Sequence, residues 1–127
     1  MMNKKHMQPI HSFAPGDFLI FQLESSFALL RVLDVEKNGA DTTWHLAAYK
    51  DFFLETEMAE AALDRPEVLQ VEKEHIALTN HAFESTPVAR LRNVPLKSDE
   101  LEGYNSWKAS RDRDVHDRSI RLLLGLR

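Results

Sequence analysis

Apolar and polar positions repeat with two different periods along the chain, and the change of period marks where the architecture changes. The turn Pro15-Gly16-Asp17 opens Phe18-Leu19-Ile20-Phe21-Gln22-Leu23, an aromatic and β-branched run of strand length that reads as a buried strand. Glu24-Ser25-Ser26 separates it from a second run over residues 27–35, placed to fold back as a hairpin. Lys37-Asn38-Gly39-Ala40 is the next turn, since Asn-Gly tolerates positive φ, and a third strand follows over about residues 42–49. Period-two alternation puts Trp44, Leu46 and Ala48 on one face of that strand and His45, Ala47 and Tyr49 on the other. Three strands joined by short turns predict an antiparallel meander.

After Phe52-Phe53 the period lengthens. Residues 56–63 combine Thr56 as an N-cap candidate, early acids and good helix formers, and Pro66 stops the helix. Residues 68–71, 76–80 and 88–94 read as further short strands. From Ser98 the pattern is helical again. Ser98 is a cap candidate, Asp99 and Glu100 suit the positive end of the helix dipole, and Leu101, Tyr104 and Trp107 recur every three residues. Gly103 fits poorly inside such a helix. Residues 111–117 form a polar link, and residues 119–124, ending at Gly125, are read as a helix in preference to a strand. The expected fold class is α+β: an antiparallel curved sheet or small open barrel, with one or two C-terminal helices packed against it.

A length of 127 residues predicts a single domain, with residues 1–11 as a flexible leader, 12–95 as the β-rich body and 98–127 as the helical C-terminal segment. The chain has no cysteine, which excludes a disulfide framework, a thiolate nucleophile and a cysteine-based zinc site. Lys4 and Lys5 have no apolar run behind them, as a signal peptide needs, and no stretch approaches the ~18 apolar residues of a membrane span. The expectation is a cytoplasmic protein that does not engage a membrane.

The net charge of −4 gives no general reason to expect a nucleic-acid partner. Its distribution is uneven. From Lys108 to Arg127 six Lys/Arg face three Asp, a balance of +3 that leaves −7 for the remainder. Opposite signs predict a tail docked on its own body, or one that reaches an acidic partner.

Phosphate loops, nucleophile elbows, zinc-protease helices and EF-hand loops are all missing from the sequence. Glu72-x-x-His75 has the spacing of a di-metal helix motif but lies in a segment that reads as strand and turn, so both side chains are expected to be exposed. No metal site and no cofactor is expected. His45, between Trp44 and Leu46, reads as a partly buried, hydrogen-bonded structural histidine before a catalytic one. Arg90 and Arg92 alternate along a strand, which would place both guanidinium groups on one face, either salt-bridged to the acidic body or able to hold an anion. Arg118 and Arg121 would share a face of the last helix. Tyr104 and Trp107 read first as core anchors and second as interface residues.

Pro15-Gly16-Asp17, its apolar strand, the short turn and the return strand ending Arg31-Val32-Leu33 resemble the start of small β-rich immunity proteins of bacterial polymorphic-toxin systems. The likeness covers about residues 15–53 and transfers no individual binding residue. It implies a stoichiometric inhibitor that binds a toxin and catalyses nothing. The favoured expectation is a non-enzymatic protein-binding module, an immunity or regulatory protein with another protein as partner. One alternative is a small enzyme or ligand-binding barrel with a pocket lined by His45, Tyr49, Arg90 and Arg92. A second is nucleic-acid binding through the basic C-terminal segment. The joint between the body, ending near Val94, and the basic end beyond Trp107 is the expected place for a binding surface.

Overall fold

A computed structural model describes residues 12–125. The leader expected at residues 1–11 and the last two residues of the C-terminal segment lie outside the described residues. The predicted meander is β1 (Asp17–Leu23), β2 (Ser26–Asn38) and β3 (Asp41–Phe53), with Gly39 of the second turn at φ +64°. Two more strands, β4 (Val71–Thr79) and β5 (Ala89–Asn93), complete an antiparallel sheet in the order β4-β3-β2-β1-β5. With β4 and β5 at opposite edges, the sheet is open. The fold class is α+β, as expected.

Four short helices cover it: α1 (Thr56–Ala62), α2 (Asn80–Glu84), α3 (Glu102–Ala109) and α4 (Ile120–Leu123), with 3-10 turns at Pro66–Val68 and Ser98–Leu101. None is long and apolar enough to cross a membrane among the described residues. The helix expected over residues 119–124 forms as the shorter α4, with Ser119 as its cap accepting from Leu122 N–H and Gly125 at φ +74° after the last turn.

The alternation along β3 builds two layers. Trp44, Leu46 and Ala48 join Leu19, Phe21, Leu30 and Val32 in one continuous core, closed by Phe83 of α2 and Ile120 of α4. Phe83 stacks on Trp44 with ring centroids 3.9 Å apart. On the opposite face Phe18, Ile20, Leu29 and Tyr49 pack under Ala59 and Leu63 around α1, while Leu33 and Ala47 pack separately under Tyr104 of α3. Two short helices, α2 and α4, thus close one face, and α1 and α3 share the other.

Several local expectations need correction. Residues 68–71 and 76–80 are not two strands, because Val68 ends a 3-10 turn and β4 runs unbroken from Val71. Asn80 opens a helix, since the Thr79 hydroxyl accepts from Ala82 N–H at 3.1 Å and caps it. Thr56 is the first residue of α1 behind an extended Glu55, not its cap. Ser98 does not cap either. The Glu100 carboxylate reaches back to accept from the Lys97 N–H at 2.9 Å, so the acid closes this turn. Gly103 is explained by packing: a Cβ there would come within 2.9 Å of the Glu74 Cβ and 3.3 Å of the His75 Cβ, so glycine lets α3 lie directly on β4.

The tail docks on the body through His116, Asp117 and Ile120. His116 bridges the outer edge of β4, donating to Ala77 O at 2.8 Å and accepting from Thr79 N–H at 2.9 Å. Asp117 accepts from Thr79 Oγ1 at 2.5 Å, and Ile120 is buried in the Trp44 core. Backbone pairing, the Asp117 carboxylate and apolar burial hold the tail at these positions.

Candidate functional site

The face shared by α1 and α3 carries the polar chemistry, and a bulge in β2 puts it there. Val32 lies opposite Leu46 and Asp34 opposite His45, which leaves Leu33 as an extra residue. The extra residue reverses the alternation. Val35 therefore returns to the Trp44 core, and Asp34 and Glu36 join Arg31 and Leu33 on the face under α3. His75 of β4 reaches the same face, because Ile76 and Leu78 face the Trp44 core.

His45 is fully buried, with Nε2 3.0 Å from Glu36 Oε1 and Nδ1 2.9 Å from His75 Nε2. A carboxylate only accepts, so with His45 neutral its proton sits on Nε2, and His75 donates to Nδ1. Burial and the neighbouring His45 lower the His75 pKa to about 4, so His75 is uncharged at neutral pH. Tyr104 lies over His45 at 4.3 Å between centroids and donates to Asp34 Oδ2 at 2.7 Å. Burial and that hydrogen bond push the Tyr104 phenol well above its ordinary value, which keeps it a donor. Trp107 packs edge-on to His45 and donates to Asp114 O at 2.9 Å. The network pins α3 to the sheet.

Arg31 is the second anchor. It is 2% exposed, its Nε and Nη2 each donate to Glu100 at 3.0 Å, and Nη1 donates to Gly16 O at 2.6 Å. The guanidinium also lies 4.2 Å from the centroid of the Phe18 ring. Gly16 sits at φ +94° with Val94 O 2.9 Å from where a Cβ would be, so only glycine lets this turn close around the arginine. Burial raises the Glu100 carboxyl, but the Arg31 hydrogen bonds outweigh it and hold the group below the ordinary carboxylate range. Arg31 thereby ties β2, the Pro15-Gly16 turn and the entry to α3 together.

Between the Pro66–Val68 turn and the start of α3 the sheet is left open as a cleft with two adjoining lobes of about 230 and 350 Å³. Arg31, Tyr49, Val71, Asp99 and Glu100 are common to both. The lobe beside the Pro66–Val68 turn adds Glu67 and Lys97, and the lobe beside α3 adds Ala47, Glu74 and Glu102. Tyr49 is 7% exposed, yet its hydroxyl makes no hydrogen bond to any described residue. Burial raises its pKa to about 12, so the cleft floor offers a neutral phenol.

The structure brings some sequence candidates together and separates others. His45, Tyr49, Tyr104 and Trp107 share this face, with Tyr104 and Trp107 as the core anchors expected. Arg90 and Arg92 lie on β5, three strands from β3, which is roughly 14 Å at the spacing of a sheet. They do not share a face. Arg92 pairs with Phe18 and Arg90 with Leu19, so Leu91 is a bulge residue that turns the two guanidinium groups to opposite sides. Arg92 meets Asp64 at 2.9 Å, and Arg90 meets the buried Asp17 at 3.3 Å. The pocket expected from His45, Tyr49, Arg90 and Arg92 is therefore not assembled. Arg118 precedes the Ser119 cap, outside α4, and Arg121 is on α4 over the Trp44 core, away from the cleft. Glu72 is exposed as expected, whereas His75 is half-buried and hydrogen-bonded.

Sequence reasoning missed Arg31, Asp34, Glu36, Glu74 and Glu100. A visible signal existed for Arg31, the one charge inside Phe27-Ala28-Leu29-Leu30-Arg31-Val32-Leu33. No protein-family model matches the chain, and neither a curated protein nor a solved structure is significantly similar to it.

Proposed function

We propose that the chain is a non-enzymatic protein-binding module, an immunity or regulatory protein working in the cytoplasm, and that it binds its partner through the cleft between the Pro66–Val68 turn and α3. The observation that carries this reading is the incompletely covered sheet face, where the largely buried Tyr49 turns to the cleft a hydroxyl with no hydrogen-bond partner among the described residues. Buried polar groups are normally hydrogen-bonded, and one left open toward a cleft is the feature a ligand completes. Val68 and Val71, 54% and 45% exposed, extend the rim as apolar surface of the kind a protein partner covers. Catalysis has less support: both ring nitrogens of His45 are engaged and the ring is fully enclosed, so it offers no free base to a substrate. Nucleic acid has less support as well, because the cleft is acidic and α4 lies on the far face.

The test is to fill the cleft. Ala47, 6% exposed, lines the lobe beside α3. A protein recovered from the native host by the wild-type chain at low salt should be lost when Ala47→Phe is used, with folding of the variant verified by circular dichroism. Equal recovery by a folded Ala47→Phe chain would count against the cleft as the binding site.

A further inference from the structure

We propose that the cleft accepts the side chain of an arginine or lysine from a basic segment of the partner, with the cationic head between Glu74, Asp99 and Glu102 and above the Tyr49 hydroxyl. This rests on the binding-module reading and specifies the chemistry of the occupant.

Charge is the first argument. Five carboxylates line the cleft against two cations, Arg31 and Lys97. Arg31 is fully committed to Glu100 and to backbone carbonyls, so it cannot serve an incoming anion. Glu74, Asp99 and Glu102 have no cationic partner among the described residues. These three carboxylates line one lobe beside apolar side chains, and charge of one sign along a cleft attracts a cation more strongly than the same charges spread over open surface.

The second argument is independent of charge. Tyr49 is more than nine-tenths buried, lines both lobes and has no hydrogen-bond partner among the described residues. A phenol oxygen accepts from an ammonium or guanidinium N–H. Leu33, Ala47 and Val71 line the same lobe and suit the aliphatic stem that leads to such a head. A volume of about 350 Å³ lies at the small end of ligand sites, on the scale of one long side chain.

The source of the cation is decided by the rim. Val68 and Val71 stand exposed beside the opening, where residues flanking the anchor would cover them. A free polyamine would leave them in water.

Isothermal titration of the full chain with an acetylated Gly-Arg-Gly-Arg-Gly amide tests this, beside the same peptide with citrulline for arginine and beside spermidine. Citrulline keeps the shape and removes the charge. The arginine peptide should bind at about 50 mM salt and weaken about tenfold as salt rises toward 0.5 M. The citrulline peptide and spermidine should each bind at least about tenfold more weakly. Glu74→Gln combined with Glu102→Gln should weaken the arginine peptide about tenfold, and Tyr49→Phe by a similar factor, with thermal unfolding unchanged. Equal binding of the citrulline peptide, or indifference to the Glu74/Glu102 pair, would overturn the cationic anchor. Spermidine binding as tightly as the peptide would assign the cleft to free polyamines instead. If the native partner is lost from Ala47→Phe but kept by the Glu74/Glu102 variant, the binding-module reading stands and the cationic occupant is wrong.

Discussion

The two faces of this sheet solve the same burial problem by different means. Over Trp44 the cover is continuous: apolar side chains of four strands meet Phe83 and Ile120, and Trp44 places its Nε1 3 Å or less from Asn80 Oδ1, at 2.9 Å. Over Tyr49 and His45 α1 packs through Ala59 and Leu63, but α3 is secured by polar groups, the Arg31–Glu100 fork at its entry and the Tyr104–Asp34 bond beside the Glu36-His45-His75 chain. An apolar contact is non-directional and fills whatever space it meets, whereas a hydrogen-bonded ion pair fixes one position and leaves its surroundings open. The polar face can therefore hold a defined cleft. The apolar face closes completely.

The sharpest way to break this contrast is to remove one anchor from each face. Trp44→Ala should cost about 3–5 kcal/mol in urea unfolding through lost burial and the cavity left behind. Arg31→Ala should cost a similar ~3–5 kcal/mol for a different reason, because Glu100 and the Gly16 carbonyl lose their donor. The mechanisms separate on a second substitution: Arg31→Met with Glu100→Leu should recover much of the loss. If Arg31→Met alone is as stable as wild type, the polar face is held by packing and the contrast fails.

Next in size is the approach of α3 to β4. Gly103→Ala improves helix propensity by up to ~1 kcal/mol, yet its Cβ would meet Glu74 at 2.9 Å. Overpacking should dominate, with a net loss of about 1–2 kcal/mol in unfolding free energy. A gain in stability would show that α3 can lift off the sheet.

The pH dependence should also differ between the faces. His75 has a folded pKa of about 4 against an unfolded value of about 6.5. The unfolded chain therefore binds a proton that the folded chain refuses. The stabilising contribution is complete above about pH 6.5 and lost as pH falls through that value toward 4. His75→Gln should flatten the unfolding midpoint between pH 6.5 and 4, and an unchanged pH profile would place the titration elsewhere. The smallest effect belongs to Tyr49→Phe, which should leave stability within about 0.5 kcal/mol by thermal unfolding, since the hydroxyl has no described partner to lose.

Much of the fold was readable because its signals are local. The meander, the faces of β3, the short α1 and the Leu101-Tyr104-Trp107 stripe follow from side-chain period and turn chemistry within windows of a few residues. The site was less readable because it depends on defects in that period. The Leu33 bulge moves Asp34 and Glu36 to the face under α3, and the Leu91 bulge separates Arg90 from Arg92. Strict alternation predicts neither, since an extra residue in a strand leaves no compositional mark.

The sequence by itself determined that the chain is α+β, where the three strands of its meander lie, and that His45 lies on the face opposite Trp44. Only the tertiary structure decided that Arg31 is buried against Glu100, 69 residues away, and that His45 meets His75 across 30. It also left Tyr49 open beneath a cleft at the joint between body and C-terminal segment. Period and propensity act between neighbours along the chain, while a buried charge finds its partner through the packing of elements that no short window contains.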